Sequence, residues 1–218
     1  MRIAVIISLG VAVTLLSAAP GRADAAAGEQ VFTDNNCGEC HTTQGPAQEK
    51  TIADQLAKKG PELWYAGSKF QQPWLEKWLQ DPQPIRLLKY NSLSEENPGD
   101  HPKLVAGDAA SMTEFLMSLT SAEVEAGVIK PKKNPKGKLI FVKKMPCSGC
   151  HQFPGKKYTG GRSAPSLLDA GERLNPDWIY AYLKKTTVFK PVRMMPIFDG
   201  ILSDKDMKSV SAYVASFK

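Results

Sequence analysis

Apolar residues recur at helical spacing in four stretches of the chain, two in each half. Side chains three or four positions apart share one face, as in an amphipathic helix. The four sets are Leu75, Trp78 and Leu79; Met112, Phe115, Leu116 and Leu119; Ile179, Tyr182 and Leu183; and Met207, Val210, Tyr213, Val214 and Phe217. No run alternates apolar and polar residues as a half-buried strand does. The pattern predicts an all-α protein.

Two of these helices also carry start signals. Asp108 precedes the apolar stripe of the last helix in the first half, and we expect it to cap that helix. Ser203, followed three residues later by Asp206, resembles a capping box. It predicts the start of the last helix in the second half.

The two halves repeat one arrangement of residues. The matched features are Gly28, Phe32, Pro61-Glu62-Leu63, Gly67, Trp74 and Pro84-Ile85-Arg86 in the first half, and Gly137, Phe141, Pro165-Ser166-Leu167, Gly171, Trp178 and Pro191-Val192-Arg193 in the second. The agreement in spacing within these groups predicts one fold used twice, in domains 26–119 and 137–218. Residues 120–136 are rich in Pro, Lys and Gly, and we expect an extended, partly solvated linker there.

The first 25 residues have the pattern of a secretory signal peptide. Arg2 is followed by a mostly apolar run from Ile3 to Ala19, and Ala23-Asp24-Ala25 resembles a cleavage site. The run is shorter than the roughly 20 apolar residues of a membrane-spanning helix. We therefore expect export, cleavage near Ala25, and a mature chain with no membrane span.

Charge differs sharply between the two halves. Residues 26–126 hold 8 Lys and Arg against 15 Asp and Glu, a balance of −7, whereas residues 127–218 hold 18 against 6, a balance of +12. A basic region can bind nucleic acid, but export and the scattered lysines argue against that partner. Two interpretations of the basic half stay open, a solvated surface and a docking face for an acidic redox partner.

All four cysteines lie in two C-x-x-C-H motifs, Cys37-Gly38-Glu39-Cys40-His41 and Cys147-Ser148-Gly149-Cys150-His151. This is the attachment signature of c-type haem, in which two thiols one helical turn apart bond to the porphyrin and the histidine binds the iron. A zinc ribbon would place its cysteine pairs about 15 to 20 residues apart, whereas Cys147 follows Cys40 by 107 residues. A thioredoxin-like pair needs a strand-helix-strand setting, and no β-rich run precedes either motif. The sequence predicts two covalently bound haem c groups.

The motifs and the repeat together resemble the class I c-type cytochromes. In arrangement they resemble the two-domain dihaem cytochromes of the cytochrome c4 type. The resemblance implies two tandem class I cytochrome c-like domains, each wrapped around one haem. It also implies that the helix bearing Phe32 or Phe141 crosses the last helix of its domain near Phe115 or Tyr213.

The resemblance further implies how the proximal histidines are held. His41 and His151 would bind the irons, while the carbonyls of Pro61 and Pro165 would accept the second N–H of each imidazole. A role of these prolines in turn formation alone is the alternative.

The distal ligand of the second haem is implied by a Met-Pro pair. In Arg193-Met194-Met195-Pro196, the position of the class I sixth ligand falls on Met195, whose thioether would bind the iron. Met194 could replace it after a shift of one residue. An apolar loop residue with no ligand role is the remaining interpretation.

The first half departs from the Met-Pro pattern. Leu87 and Leu88 stand where the second half has its methionine pair, and leucine cannot bind iron. The following insertion, 89–100, has the composition of an exposed loop. It ends at His101-Pro102, which copies the Met-Pro shape with histidine in place of methionine. We expect His101 to give the first haem bis-histidine ligation.

Other interpretations of the first iron stay open. His101 could be a solvated surface histidine, and the iron would then be five-coordinate. Met112 and Met117 are the downstream thioethers, but Met112 lies on the apolar stripe of its helix and is typical of a core residue.

These features predict an electron carrier in the periplasm and not an enzyme. Methionine raises the haem potential relative to histidine, so electrons should run from the first haem to the second. An acidic acceptor would dock on the second domain. The alternatives are the cytochrome subunit of a periplasmic dehydrogenase complex and, with an open first iron, a haem enzyme.

Overall fold

The structure, a computed structural model, describes residues 24–155 and 159–218. The predicted signal peptide lies almost wholly outside these residues. Within them the regular elements are helical, the only β-type pairings are isolated bridges, and no helix has the length and apolar character needed to cross a membrane. The all-α prediction is confirmed.

The helices of the described residues fall into two sets that follow the sequence repeat. The first set is α1 (Ala25–Asp34), α2 (Ile52–Ala57), α3 (Ala66–Lys69), α4 (Gln72–Gln80) and α5 (Ala106–Ser118). The second set is α6 (Pro135–Leu139), α7 (Cys147–Cys150), α8 (Ala170–Arg173), α9 (Pro176–Lys184), α10 (Thr186–Phe189) and α11 (Asp204–Val214). A 3-10 turn, Cys37–Glu39, stands in place of α7 in the first set, and a π-helical turn, Ile140–Lys144, continues α6.

Each domain is built on a crossing of its first and last helices. Phe32 of α1 meets Phe115 of α5 edge to face, with ring centroids 5.7 Å apart. Phe141, in the π-helical turn, meets Tyr213 of α11 at 6.0 Å in the same way. Such edge-to-face pairs are the favoured aromatic geometry. Both expected crossings are confirmed.

Of the two predicted helix starts, one is confirmed and one is wrong. Ser203 caps α11, and its hydroxyl accepts a hydrogen bond from the Asp206 N–H at 3.1 Å, as predicted. The prediction that Asp108 caps α5 is wrong, because the helix already begins at Ala106, after Val105. Asp108 lies in the first turn, where a carboxylate also stabilises a helix through its dipole.

The two domains meet through matching segments of the repeat. An isolated antiparallel bridge joins the end of α3 to the end of α8. The Gln71 N–H donates to the Arg173 carbonyl at 2.9 Å, and the Asn175 N–H donates to the Lys69 carbonyl at 2.8 Å. Gln71 and Asn175 occupy equivalent repeat positions, as do Lys69 and Arg173. The contact is therefore reciprocal, with approximate twofold symmetry.

The segment 120–136 lies against the second domain. The Asp177 carboxylate, in the first turn of α9, accepts hydrogen bonds from the N–H groups of Gly127 and Ile129, each at 2.7 Å. Ile129 is buried, and the Lys132 N–H donates to the Ala212 carbonyl of α11 at 3.1 Å. The connection between the domains is thus attached at several points.

Candidate haem sites

Each C-x-x-C-H motif forms one helical turn. The His41 N–H donates to the Cys37 carbonyl at 3.0 Å, and the His151 N–H donates to the Cys147 carbonyl at 2.9 Å. In each motif the first cysteine is half-buried and the second is exposed. The turn brings the two thiols and the histidine close together, as the attachment of c-type haem requires.

The first cysteine of each motif is not activated as a nucleophile. Burial raises the pKa of the Cys37 thiol, and it raises the pKa of the Cys147 thiol to about 11. Reactive and redox-active cysteines have lowered pKa values. The two cysteine pairs also belong to different domains. These observations argue against both the thioredoxin-like and the zinc-ribbon interpretations.

The histidine of each C-x-x-C-H motif is oriented by a proline carbonyl. Nδ1 of His41 lies 2.7 Å from the Pro61 carbonyl oxygen, and Nδ1 of His151 lies 2.7 Å from that of Pro165. A carbonyl oxygen only accepts, so each Nδ1 carries the proton and each Nε2 keeps a free lone pair. Burial lowers the pKa of both imidazoles, against the effect of these hydrogen bonds. The expected hydrogen bonds are present and place the proton on Nδ1, while burial favours the neutral imidazole, which can bind a metal through Nε2.

The structure brings His101 to the first motif. Its ring centroid lies 6.2 Å from that of His41, with 47° between the ring planes. The His101 ring also contacts Trp78 of α4, with centroids 4.7 Å apart. The Leu104 N–H donates to the Leu79 carbonyl at 2.9 Å and joins the His101 loop to the end of α4. His101 itself is exposed to solvent.

The insertion that precedes His101 folds back on the first domain. The Asn91 amide donates to the carbonyls of Gln55 and Lys58, at 2.7 and 3.0 Å, which attaches the loop to α2. The Asn97 amide donates to the Arg86 carbonyl at 3.0 Å. These hydrogen bonds hold the insertion against the first domain and so help to position His101, which follows it.

The two methionines of the second domain differ in burial. Met195 is half-buried and packs against the hydrophobic core, whereas the side chain of Met194 is 65% exposed. Arg193, next to them, donates to the Lys190 carbonyl at 3.3 Å and holds the start of this loop. Met195 is thus the methionine directed to the interior.

Four buried donors have no hydrogen-bond partner among the described residues. They are Nε1 of Trp64, Nε of Arg86, Nε1 of Trp178 and Nε of Arg193. Nη2 of Arg86 donates a hydrogen bond to the Ser163 carbonyl of the second domain at 2.9 Å. Haem carries two propionate carboxylates, and guanidinium and indole N–H groups are suitable donors for them. The buried donors therefore fit the chemistry of the cofactor.

Sequence reasoning named neither tryptophan nor arginine as a site residue. Arg86 and Arg193 appeared only as markers of the repeat, in the two Pro-aliphatic-Arg triplets. An arginine at the same position in both copies, close in sequence to each expected distal ligand, was the available signal.

Comparison with protein families agrees with this geometry. The family model for cytochrome c matches the chain twice, over residues 25–120 and 135–218. A search of curated proteins found no match. Among solved structures, the chain is similar to one described as "Kuenenia stuttgartiensis reducing HAO-like protein complex Kustc0457/Kustc0458", with 21% identity, coverage of 88% of this chain and 95% of that one, and a TM-score of 0.33. The chain belongs to the cytochrome c family and contains two class I cytochrome c domains in tandem.

Proposed function

We propose that this electron-transfer haem protein carries single electrons between redox partners through two haem c groups, one in each domain. The first would be attached at Cys37 and Cys40 with His41 and His101 as axial ligands. The second would be attached at Cys147 and Cys150. Its axial ligands would be His151 and Met195. Bound haem iron supplies one-electron chemistry, and the chain supplies ligands, burial and charge.

The spacing of His41 and His101 is the observation that carries the proposal. A metal–imidazole bond is about 2 Å long, and the ligating nitrogen lies about 1 Å from the ring centre. Two imidazoles on opposite sides of one metal ion therefore have ring centres about 6 Å apart. The 6.2 Å between these rings agrees with that distance. Contact with Trp78, with ring centroids 4.7 Å apart, supports the same placement, because it holds the exposed His101 ring beside the first motif.

For the second haem, burial favours Met195 over its neighbour. Met195 is the half-buried member of the pair and packs against the hydrophobic core, whereas Met194 is exposed, so Met195 is the methionine placed to face a haem pocket. A histidine and methionine pair has a higher potential than two histidines. Electrons would therefore run from the first haem to the second.

We also propose that the protein works in the periplasm and that an acidic acceptor docks on its second domain. Haem attachment outside the cytoplasm, implied by the family resemblance, and the signal-peptide pattern support export. Lys138, Lys143 and Lys144, just before the second haem motif, are all exposed. Positive charge at this position would guide the encounter with an acidic protein.

Spectroscopy of matched variants tests the ligands. Oxidised wild-type protein should give one bis-histidine and one histidine–methionine low-spin signal in low-temperature EPR and near-infrared magnetic circular dichroism. His101→Ala should remove only the first signal. Met195→Leu should remove only the second, while the control Met194→Leu should leave both.

A high-spin first haem that His101→Ala does not change would contradict the proposal. It would mean an open iron and would favour a haem enzyme. A redox titration that gives the first haem the higher potential would refute the direction of transfer.

For docking, Lys143→Glu with Lys144→Glu should slow electron transfer to an acidic acceptor at low salt more than the control Lys50→Glu in the first domain. Stable co-purification with a dehydrogenase would instead favour a fixed complex.

A further inference from the structure

One short segment of the second domain presents the carbonyl that orients His151. This segment, residues 161–167, is called the proline segment below. Its Pro165 carbonyl oxygen lies 2.7 Å from Nδ1 of His151. Its Ala164 N–H donates to the Cys150 carbonyl at 3.1 Å, which joins the segment to the second C-x-x-C-H motif. The position of the proline segment therefore sets the geometry of the hydrogen bond to His151.

The first domain also binds the proline segment. Nη2 of Arg86 donates to the Ser163 carbonyl at 2.9 Å, and this hydrogen bond is partly buried. The Ser166 N–H donates to the Ile85 carbonyl at 2.8 Å. Ser163 and Ser166 flank Pro165 in the sequence, so the first domain holds the segment on both sides of the carbonyl that His151 uses.

Arg86 is itself fixed by the insertion 89–100. The Asn97 amide donates to the Arg86 carbonyl at 3.0 Å. The neighbouring Glu96 carboxylate pairs with Arg162 of the proline segment at 2.9 Å, but these side chains are 75% and 54% exposed. An exposed ion pair of this kind adds little stability. Arg86 is therefore the side chain through which the first domain holds the segment most firmly.

The matching segment of the first domain, residues 57–63, is held differently. Among the described residues, none of its hydrogen bonds reaches the second domain. Arg193, the repeat equivalent of Arg86, donates instead to the Lys190 and Pro191 carbonyls of its own domain, at 3.3 and 2.5 Å. Within the part of the chain that the structure describes, hydrogen-bonded support from the opposite domain is thus a feature of the second motif alone.

We propose that Arg86, a residue of the first domain, is a positioning residue for the second haem. By holding the proline segment, it keeps the Pro165 carbonyl in place for His151. This inference rests on the proposed role of His151 as an axial ligand. A hydrogen bond from Nδ1–H fixes the orientation of the imidazole and strengthens it as a ligand. The second haem site is therefore complete only while the first domain is in contact with it.

The experiment is nuclear magnetic resonance of the oxidised dihaem protein with isotope-labelled histidine, which follows the Nδ1 proton of each imidazole. Arg86→Met removes the donor to Ser163. The His151 Nδ1 proton should then exchange with solvent on the order of tenfold faster, the factor expected for the loss of one hydrogen bond. Its hyperfine-shifted resonance should also move, because the hydrogen bond to Pro165 lengthens. The His41 proton is the internal control and should keep its rate and its shift.

The sign of the change separates position from charge. Hydroxide catalyses this exchange and a nearby cation attracts hydroxide, so loss of the Arg86 charge alone would slow the exchange. Arg86→Lys keeps the charge but lacks the planar fork of donors. It should give a smaller increase of the same sign, and it decides the question if Arg86→Met does not fold. Arg193→Lys, the matched change in the repeat, should leave the exchange of the His41 proton unchanged.

The outcomes separate this inference from the proposed function. An exchange rate of the His151 proton that is unchanged or slower in both Arg86 variants would overturn the inference alone. Equal acceleration at His41 and His151 would show a general loosening of the protein and would overturn it as well. A His151 proton without a hyperfine shift in the wild-type protein would mean that His151 does not bind the iron. That result would overturn the proposed function and, with it, this inference.

Discussion

The helix crossing at Gly28 allows a prediction whose sign can be set against a matched control. A Cβ added at Gly28 would lie 2.0 Å from the Ser111 carbonyl oxygen and 2.6 Å from Cβ of Phe115. Ordinary contacts begin at 3.4 Å, so the carbonyl is more than 1 Å too close. The obstacle is helix backbone and cannot rotate away. Gly28→Ala therefore forces α1 and α5 apart and weakens the Phe32 contact with Phe115.

The expected loss follows from two opposing terms. Overpacking costs about 1–3 kcal/mol, here at the upper end because backbone is involved, while replacing a helical glycine by alanine returns up to about 1 kcal/mol. We expect Gly28→Ala to lower the free energy of unfolding by about 2 kcal/mol. For a chain of this size that lowers the Tm by roughly 4–8 °C. Gly137→Ala should behave alike, because its Cβ would lie 2.2 Å from the Ser209 carbonyl oxygen.

Gly107→Ala is the control for this prediction. Gly107 also lies in α5, but nothing stands within 4 Å of an added Cβ. The substitution should leave stability unchanged or raise it by about 0.5 kcal/mol. Thermal unfolding followed by far-ultraviolet circular dichroism compares the three variants. A Gly28→Ala protein as stable as wild type, or a less stable Gly107→Ala protein, would refute the reasoning.

Three further predictions concern single side chains. Asp177→Ala leaves two backbone N–H groups without their acceptor and should lower the free energy of unfolding in guanidinium by about 2–3 kcal/mol; a loss below about 0.5 kcal/mol would mean that water replaces the carboxylate. Ser203→Ala removes the cap of α11 and should cost about 1 kcal/mol in the same assay, and an unchanged transition midpoint would contradict the assigned cap. Hydrogen bonds from Tyr180 and Lys208 lower the pKa of Asp204 from 3.8 to about 2, so its stabilisation is complete above the unfolded value and is lost as the pH falls towards 2. Asp204→Asn should weaken the pH dependence of stability in that window, measured by acid unfolding, and an identical acid transition would exclude this role.

The local part of the fold could be predicted from the sequence because its signals are short-range. The stripes that contain Leu75 and Ile179 predicted α4 and α9. The equal spacing from Gly28 to Phe32 and from Gly137 to Phe141 predicted one fold used twice, and the family resemblance implied the two helix crossings. His101 could be proposed because the chain has three histidines and two of them follow the cysteines. The prediction for Asp108 was wrong because aspartate is favoured both at the N-cap and in the first turn of a helix.

Contacts between the domains had no comparable signal. The repeat places Lys69 and Trp178 at defined positions within their own domains, but it does not say which surfaces meet. Asp177 shows the same difficulty. In the sequence it is an acidic residue at the start of a helix, and its role as acceptor for Gly127 and Ile129 depends on the path of a distant segment. α2 and α10 are too short to produce an apolar stripe.

The attachment of residues 120–136 to α9 has a kinetic consequence. Domains joined by a free tether must meet by diffusion before an electron can pass between them, so the exchange slows as the solvent becomes more viscous. Here the Asp177 carboxylate holds the connection, and paired backbone hydrogen bonds join α3 to α8. The distance between the two C-x-x-C-H motifs is then fixed by the fold and does not depend on diffusion of one domain towards the other. Electron exchange between haems attached at these two motifs should therefore proceed at the same rate in buffer and in concentrated sucrose.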